Sequence, residues 1–156
     1  MATLDGIHHL TTLTADLDRL IGFYERVFDA EVTLDLEEEG LRHALIAIGP
    51  NTFLHPFQVP GVEVPQHHIP MFERGRMDHI GLNAADQESF YEVRRRVMAE
   101  GAGDGLVSDM GPFLSFGFVD PDGVGHEVMW TKPGASSANT LKRTEWTVVA
   151  DAGATR

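Results

Sequence analysis

The fold is decided by the stretch GIHHLTTLTADLDRLIGFYERVFDAEV (residues 6–32), which has a partner in MDHIGLNAADQESFYEVRRRVMAEGA (residues 77–102). Five identical residues recur 70 positions apart: His9 and His79, Ala15 and Ala85, Asp16 and Asp86, Arg26 and Arg96, Val27 and Val97. Because five identities are few, the shared order of structural elements carries more weight than the identities do. The two stretches predict a chain built from two related halves.

Each half opens with a predicted strand, a loop and a helix. Alternation at residues 9–13 and 79–82 places successive side chains on opposite faces, as in a β-strand. Asp16 or Asp86 follows, and its carboxylate can accept hydrogen bonds from the free N–H groups at a helix start. Apolar residues at helical spacing come next: Leu17, Leu20, Ile21, Tyr24 and Phe28 in the first half, and Phe90, Val93 and Val97 in the second.

Three short strands are predicted after each helix. In the first half they cover residues 31–36, 42–48 and 52–59, with an acidic turn at 37–40. In the second half they cover residues 106–110, 113–119 and 124–130. The sequence Asp120-Pro121-Asp122-Gly123 precedes the last strand and is a strong turn signal, because proline fixes φ and glycine allows positive φ. The layout is βαβββ twice, which predicts an α+β fold.

The 156 residues fit a single domain with a C-terminal tail. We expect the domain to cover residues 1–132, with module one at 6–59, a proline-containing linker at 60–75 and module two at 76–131. Residues 133–156 are rich in Gly, Ala, Ser and Thr, which predicts a loosely held tail. Within that tail, EWTVVA (145–150) can add a strand.

Composition excludes several classes of protein. The absence of cysteine rules out a disulfide framework, a Cys-rich zinc site, an iron–sulfur cluster and a thiol nucleophile. A net charge of −12 disfavours nucleic-acid binding. Residues 1–10 lack a signal-peptide pattern, and the longest near-apolar runs fall far below the roughly 18 residues of a membrane span. We therefore expect a cytoplasmic protein with no nucleic-acid or membrane partner.

Histidines occupy matching places in the two halves. His9 and His79 each lie 7 residues before the predicted capping aspartate. Glu127 follows His79 by 48 residues, and His55 follows His9 by 46 residues, each in the last predicted strand of its half. If a local two-fold axis relates the halves, these side chains converge. Two or three imidazoles with one carboxylate suit a divalent metal (Fe, Mn, Ni, Co or Zn) with open coordination positions.

This layout resembles the vicinal oxygen chelate superfamily. That group includes glyoxalase I, extradiol dioxygenases, fosfomycin resistance enzymes, methylmalonyl-CoA epimerase and bleomycin-binding proteins. The resemblance covers roughly residues 6–131 and rests on HHLTTLTADLDRLIGFY (8–24), DHIGLNAADQESFY (78–91) and FVDPDGVGHEVMW (118–130). The last stretch, in which a tight turn leads to Glu127, is the most specific of the three.

The resemblance implies two βαβββ modules whose sheets curve around one cleft, with the helices outside. The implied metal ligands are His9, His79 and Glu127, with His55 in a fourth, variable place as a ligand, a general base or a polar wall. The metal would bind two oxygens on neighbouring atoms of a small substrate, and Glu127 or His55 would transfer a proton. A homodimer is expected, because module faces in this family often pair across chains.

Several functional alternatives stay open. Extradiol-type ring cleavage and glyoxalase-like isomerisation are both consistent with the residues, and the two-His, one-carboxylate set slightly favours the first. The net charge of −12 favours neither a phosphonate nor a CoA ester as substrate. The main rival is a non-catalytic protein of the same fold that binds a drug or metabolite. His8 and His126 each adjoin a proposed ligand and are interpreted as structural, since neighbours on a strand point to opposite faces.

Overall fold

The computed structural model describes residues 3, 6–64 and 69–149. Residues 65–68, which belong to the predicted linker, lie outside the described residues. The chain divides into two compact units, Met1–His67 and His68–Arg156. In the described part of the chain, no helix has the length and apolar character that a membrane crossing requires.

The first unit is one complete βαβββ module. Its elements are β1 (His9–Leu13), α1 (Leu17–Phe28), β2 (Glu31–Glu38), β3 (Leu41–Gly49) and β4 (Thr52–Gln58). The sheet order is β1-β4-β3-β2, in which β1 and β4 are parallel and the other pairs are antiparallel. Helix α1 buries five side chains on one side of this sheet: Leu17, Leu20, Phe23, Tyr24 and Val27.

The second unit repeats the module and adds one strand. Its elements are β5 (Ile80–Asn83), α2 (Gln87–Ala99), β6 (Ser108–Asp109), β7 (Phe113–Val119), β8 (Gly125–Thr131) and β9 (Thr147–Val148), with 3₁₀ turns at Ser137–Asn139 and Arg143–Glu145. The sheet order is β5-β8-β7-β6-β9, and β5 and β8 are parallel. The predicted α+β fold with two βαβββ modules is confirmed. Strand β9 lies within the stretch 145–150, of which Ala150 lies outside the described residues.

Both predicted helix starts are present at positions 70 residues apart. The carboxylate of Asp16 accepts a hydrogen bond from the Arg19 N–H at 3.0 Å, and that of Asp86 accepts one from the Ser89 N–H at 2.7 Å. Each bond satisfies a backbone donor that the first helical turn leaves without an intrahelical partner. The capping aspartates therefore fix the two helix starts at equivalent places in the two modules.

Two of the predicted strands differ from the structure by two residues at one end, and the other strand ends differ by at most one residue. Strand β2 runs to Glu38, and the turn to β3 contains only Glu39 and Gly40, which both have positive φ (53° and 81°) as a tight two-residue hairpin requires. Strand β6 is shorter than the predicted 106–110. Before it, the Leu106 N–H donates to the Asp104 side chain, and after it, the Gly111 N–H donates to the Asp109 side chain. Side-chain acceptors thus bind one backbone N–H group on each side of β6.

Lys132 and Asp109 form an ion pair that ties the residue after β8 to β6, with Nζ 2.7 Å from the Asp109 carboxylate. The hydrogen bond from Lys132, followed in importance by one from the Gly111 N–H, lowers the pKa of Asp109 below its ordinary value of 3.8. Since the lowered pKa belongs to the folded state, the stabilisation is present above that ordinary value and is lost as the pH falls through the lowered one.

We therefore expect Lys132→Gln to lower the free energy of unfolding by less than about 1 kcal/mol at neutral pH, because the pair is partly solvated. The difference from the parent chain should shrink towards zero in acid. Urea titrations across the acidic range measure it, with Lys142→Gln as a control that removes an exposed lysine. A difference that persists or grows in acid would contradict the assigned pairing.

Candidate functional site

The second unit brings together two of the predicted metal ligands. Glu127 lies on β8 opposite Gly81 of β5, and His79 immediately precedes β5. The Nε2 atom of His79 is 3.5 Å from Oε2 of Glu127, and the two side chains are 32% and 23% exposed. A partly solvated imidazole and carboxylate therefore lie side by side at the start of two neighbouring parallel strands.

The imidazole of His79 is oriented by the residue before it. Nδ1 of His79 is 2.8 Å from a carboxylate oxygen of Asp78, which also accepts a hydrogen bond from the Phe72 N–H. The hydrogen bond with His79, then that from Phe72, and also the nearby Arg74 guanidinium lower the pKa of Asp78. An ionised Asp78 engages Nδ1, so the opposite ring nitrogen, Nε2, faces Glu127.

The carboxylate of Glu127 is held by a hydroxyl on the adjacent strand. Ser115 of β7 is buried, and its Oγ–H donates to Oε1 of Glu127. Because Ser115 engages one oxygen, the other oxygen is the one that faces His79. Both members of the pair thus have a fixed orientation.

The first unit has the same geometry with different side chains. His55 of β4 pairs with Thr11 of β1, and Thr11 lies 70 positions before Gly81, the partner of Glu127. His55 and Glu127 are therefore equivalent, as are His9 and His79. The rings of His9 and His55 have centroids 5.3 Å apart. The predicted correspondence between the last strands of the two modules is confirmed at the level of strand register.

The equivalence extends to the supporting residue on the third strand. His43 pairs with Phe57, two residues after His55, just as Ser115 pairs with Met129, two residues after Glu127. Nδ1 of His43 is 3.0 Å from Nε2 of His55, a hydrogen bond that matches the one from Ser115 to Glu127. The His43 ring also stacks on Phe57 at 4.9 Å. Each module therefore holds its last-strand residue from the neighbouring strand.

The environment of His55 favours the neutral imidazole. Burial is the main cause, and the positive charge that His43 and His9 can carry adds to it, so that the pKa of His55 is lowered from its ordinary value of 6.5. A neutral imidazole at physiological pH can accept a proton.

His55 and Glu127 lie on the sheet faces that do not carry the helix. Leu54 and Val128, which adjoin His55 and Glu127 on their strands, are buried in the cores. Since neighbours on a strand point to opposite faces, His55 and Glu127 face away from those cores. The other neighbour of Glu127, His126, is also buried, and it forms a hydrogen bond with Asp120 at 3.3 Å and stacks on Phe118. His8 lies beside His9, with 2.9 Å between their Nδ1 atoms.

A large cavity in the second unit contains the His79–Glu127 pair. Its volume is about 1050 Å³, and its apolar lining residues include Met71, Phe72, Leu106 and Trp146. Arg74, Asp104 and Arg143 are charged residues of the wall. A smaller cavity of about 480 Å³ in the first unit, beside Arg42 and Gln58, contains none of the predicted site residues.

The predicted metal ligands are thus divided between the two units: His79 and Glu127 are neighbours in one, and His9 lies beside His55 in the other. Among residues 3, 6–64 and 69–149, no group of three or more His, Cys, Asp or Glu side chains is arranged to hold a metal ion. Three supporting residues were missed by the sequence analysis: Asp78, Ser115 and His43. Asp78 adjoins His79 in the sequence, whereas no local pattern marks Ser115 or His43.

Comparison with known proteins identifies the family. The model of the Glyoxalase/Bleomycin resistance protein/Dioxygenase superfamily matches residues 6–128. No curated protein is similar enough in sequence to match the chain.

Solved structures share the fold. A glyoxylase/bleomycin resistance protein/dioxygenase domain from Frankia sp. EAN1pec has a TM-score of 0.71 and 16% identity, covering 83% of this chain and 100% of that one. The fosfomycin resistance protein FosX from Listeria monocytogenes, complexed with Mn(II) and sulfate, has a TM-score of 0.60 and 18% identity, covering 84% and 96%. FosX from Mesorhizobium loti has a TM-score of 0.57 and 23% identity, covering 81% and 91%.

The family match extends over most of the chain, and the two βαβββ modules agree with it. The resemblance to the vicinal oxygen chelate proteins noted from the sequence is confirmed. The chain belongs to the Glyoxalase/Bleomycin resistance protein/Dioxygenase superfamily.

Proposed function

We propose that this chain is a divalent-metal-dependent enzyme that acts on a small oxygenated substrate bound through two neighbouring oxygens. The proposed metal ligands are His79, Glu127 and His9, and the proposed proton-transferring residue is His55. The observation that carries the proposal is the oriented pair of His79 and Glu127, 3.5 Å apart, in the wall of the large cavity. We further propose that the chain works as a cytoplasmic homodimer with residues 1–132 as one functional domain.

The chemistry of the donor set fits a divalent metal. An imidazole nitrogen and a carboxylate oxygen are ligands that Mn, Fe, Co, Ni and Zn all accept. The hydrogen bond between Asp78 and Nδ1 of His79 is the arrangement that orients ligating histidines in metalloproteins. Ser115 supports Glu127 in the same way. Mn(II) accompanies the FosX structure, which makes it the first ion to test here.

Different residues of this chain have different proposed roles in the reaction. A metal, when bound, supplies a Lewis acid that stabilises negative charge on a substrate oxygen. Asp78 and Ser115 keep His79 and Glu127 in a fixed orientation, so little reorganisation is needed on binding. His55, held neutral by its burial, accepts a proton from the substrate, and His43 fixes the direction of its ring. The apolar part of the cavity lining favours a hydrophobic substrate body.

The reaction class is proposed as dioxygenase-like or glyoxalase-like. The test begins with the metal content of chain purified without chelator, followed by loading with Mn(II), Fe(II) or Ni(II). Each loaded form is then assayed for oxygen uptake with catechols and for isomerisation of thiohemiacetals. Turnover in either assay that depends on the metal supports the proposal, and a stoichiometrically loaded protein inert in both assays counts against both reaction classes.

We expect His55→Gln to lower kcat by about 10²–10⁴-fold, the usual contribution of a positioned general base or acid. The metal content should remain that of the parent chain, because His55 acts on the proton and does not hold the ion. Steady-state kinetics and elemental analysis of the same preparation measure both quantities. Loss of the metal together with activity would show that His55 is a ligand.

We expect Asp78→Asn to weaken Mn(II) binding by about 10–100-fold, the usual effect of removing the partner of a ligating histidine. The cause is a loss of the carboxylate that engages Nδ1 of His79. Titration with Mn(II) by electron paramagnetic resonance measures the affinity. Asp104→Asn is the matched control, because Asp104 lies in the cavity wall without a contact to His79 that the structure describes. Equal losses in both variants would contradict the assigned role.

A non-catalytic binding protein is the second candidate. One observation favours it: much of the cavity lining is apolar. Elemental analysis discriminates the two candidates. Less than about a tenth of an equivalent of any transition metal, unchanged in His79→Ala and after loading, would favour the binding protein, since a catalytic site of this kind needs its ion.

A further inference from the structure

The C-terminal segment 141–149 lies beyond the family match at residues 6–128 and is attached to the second module. Strand β9 pairs with β6, the Leu141 N–H donates to the Met110 carbonyl at 3.0 Å, and the Val149 N–H donates to the Val107 carbonyl at 2.9 Å. The segment is therefore anchored at both ends by backbone hydrogen bonds. This differs from the loosely held tail that its composition predicts.

Two side chains of this segment reach the cavity that contains His79 and Glu127. Trp146 is half-buried in the cavity wall, and its Nε1–H donates to the Leu141 carbonyl at 3.0 Å, which fixes the indole. Arg143 lies in the same wall, with its guanidinium carbon 5.9 Å from the centroid of the Phe72 ring. The segment thus adds one aromatic side chain and one cation to the proposed site.

Phe72 has an unusual backbone conformation and an unusually exposed side chain. Its side chain is 72% exposed, although it is aromatic, and its φ of 70° lies in the left-handed region that non-glycine residues rarely adopt. Its N–H donates to Asp78, the residue that orients His79. A strained, exposed aromatic residue held by the site's own carboxylate points to a role at the cavity rather than in the core.

The charges of the wall define what the cavity accepts. Arg74 is engaged by the Ile69 and Asp78 carbonyls at 2.7 and 3.1 Å, whereas Arg143 forms no ion pair with any residue among 3, 6–64 and 69–149. Asp104 and Glu127 also contribute negative charge. In a wall that also carries two carboxylates, the single Arg143 guanidinium matches a ligand with one negative charge better than a doubly charged phosphonate.

We propose that Arg143 binds a carboxylate of an aromatic substrate whose ring lies against Phe72 and Trp146, so that the segment 141–149 determines substrate specificity. The part of this proposal that concerns the two vicinal oxygens rests on the function proposed above. The part that concerns the carboxylate subsite does not require a metal. The substrate class is therefore an aromatic monocarboxylate that carries two neighbouring oxygens at the end opposite the carboxylate.

The test compares two probes with the same catechol ring, 3,4-dihydroxyphenylacetate and neutral 4-methylcatechol. Calorimetric titrations of the full chain are made with and without added Mn(II). In the chelator-treated parent chain we expect the carboxylate probe to bind about tenfold more tightly, as a charge-assisted contact provides. The preference should fall as salt is added, because the guanidinium is exposed to screening. If Mn(II) does not bind but the carboxylate probe still binds more tightly than the neutral probe, the function proposed above is contradicted and the carboxylate subsite is supported.

Variants of the segment 141–149 test which residue causes the preference for the carboxylate probe. Arg143→Gln should reduce the preference to near unity, Arg143→Lys should keep part of it, and Lys142→Gln should leave it unchanged. Trp146→Ala should lower the affinity for both probes by the same factor, since in this proposal the indole contacts the catechol ring and not the carboxylate. An unchanged preference in Arg143→Gln, an equal loss in Lys142→Gln, or no binding of either probe at millimolar concentration would overturn the proposal.

Discussion

His79→Ala and Glu127→Gln are each expected to lower the affinity for Mn(II) by more than about a hundredfold and to abolish turnover. The lower bound follows from the about 10–100-fold cost of removing only the partner of a ligand, which loss of the ligand itself should exceed. Glu127→Gln keeps the size of the side chain and can still accept a hydrogen bond from Ser115, so it removes chiefly the charge. The half-exposed position of both residues predicts little change in the free energy of unfolding.

Elemental analysis and Mn(II) titration of the purified variants measure this result. Glu31→Gln is the matched control for the carboxylate, because Glu31 is an exposed residue at the start of β2. Circular dichroism and the urea midpoint establish that each variant is folded. Parent-like metal affinity in either folded variant would remove that residue from the proposed ligand set.

Phe90→Ala is expected to lower the free energy of unfolding by about 3–5 kcal/mol, the usual cost of truncating a buried phenylalanine. Helix α2 buries only Phe90 and Val97, whereas α1 buries five side chains, so Phe90 carries much of the packing of α2 on its sheet. Its ring is fully buried and lies 5.1 Å from that of Phe116 in an edge-to-face arrangement.

Urea denaturation measures the loss, and Met98→Ala is the matched control on the same helix. Met98 is 44% exposed, so its truncation should cost less than about 1 kcal/mol. The loss in Phe90→Ala should appear in the midpoint at an unchanged slope, since the surface that unfolding exposes changes little. Equal costs for the two variants would show that α2 is not anchored through Phe90.

The repeat made the modules predictable from the sequence. The capping aspartates, the apolar spacing and the paired histidines all recur 70 residues apart, and each corresponds to a local physical requirement. Aligning His55 with Glu127 also follows from strand order, although their separations from His9 and His79 differ by two residues. The residues that determine the local structure could therefore be predicted from the sequence alone.

Other features depend on contacts that local patterns do not encode. His43 and Ser115 are unlike in chemistry, and only the register of β3 against β4 and of β7 against β8 reveals that they occupy equivalent places. The composition of residues 133–156 predicts a loose tail, whereas backbone pairing between β9 and β6 attaches its segment 141–149. Such pairing depends on the exposed edge that β6 offers, which is a property of the folded sheet.

The most direct test of the proposed metal centre is a crystal structure of the Mn(II)-loaded protein with anomalous scattering recorded for manganese. We predict one ion per chain, bound by Nε2 of His79 and the carboxylate of Glu127, with His9 of the same or a second copy as the third protein ligand. An ion bound without His79 and Glu127, or no ion at saturating Mn(II), would contradict the proposed centre.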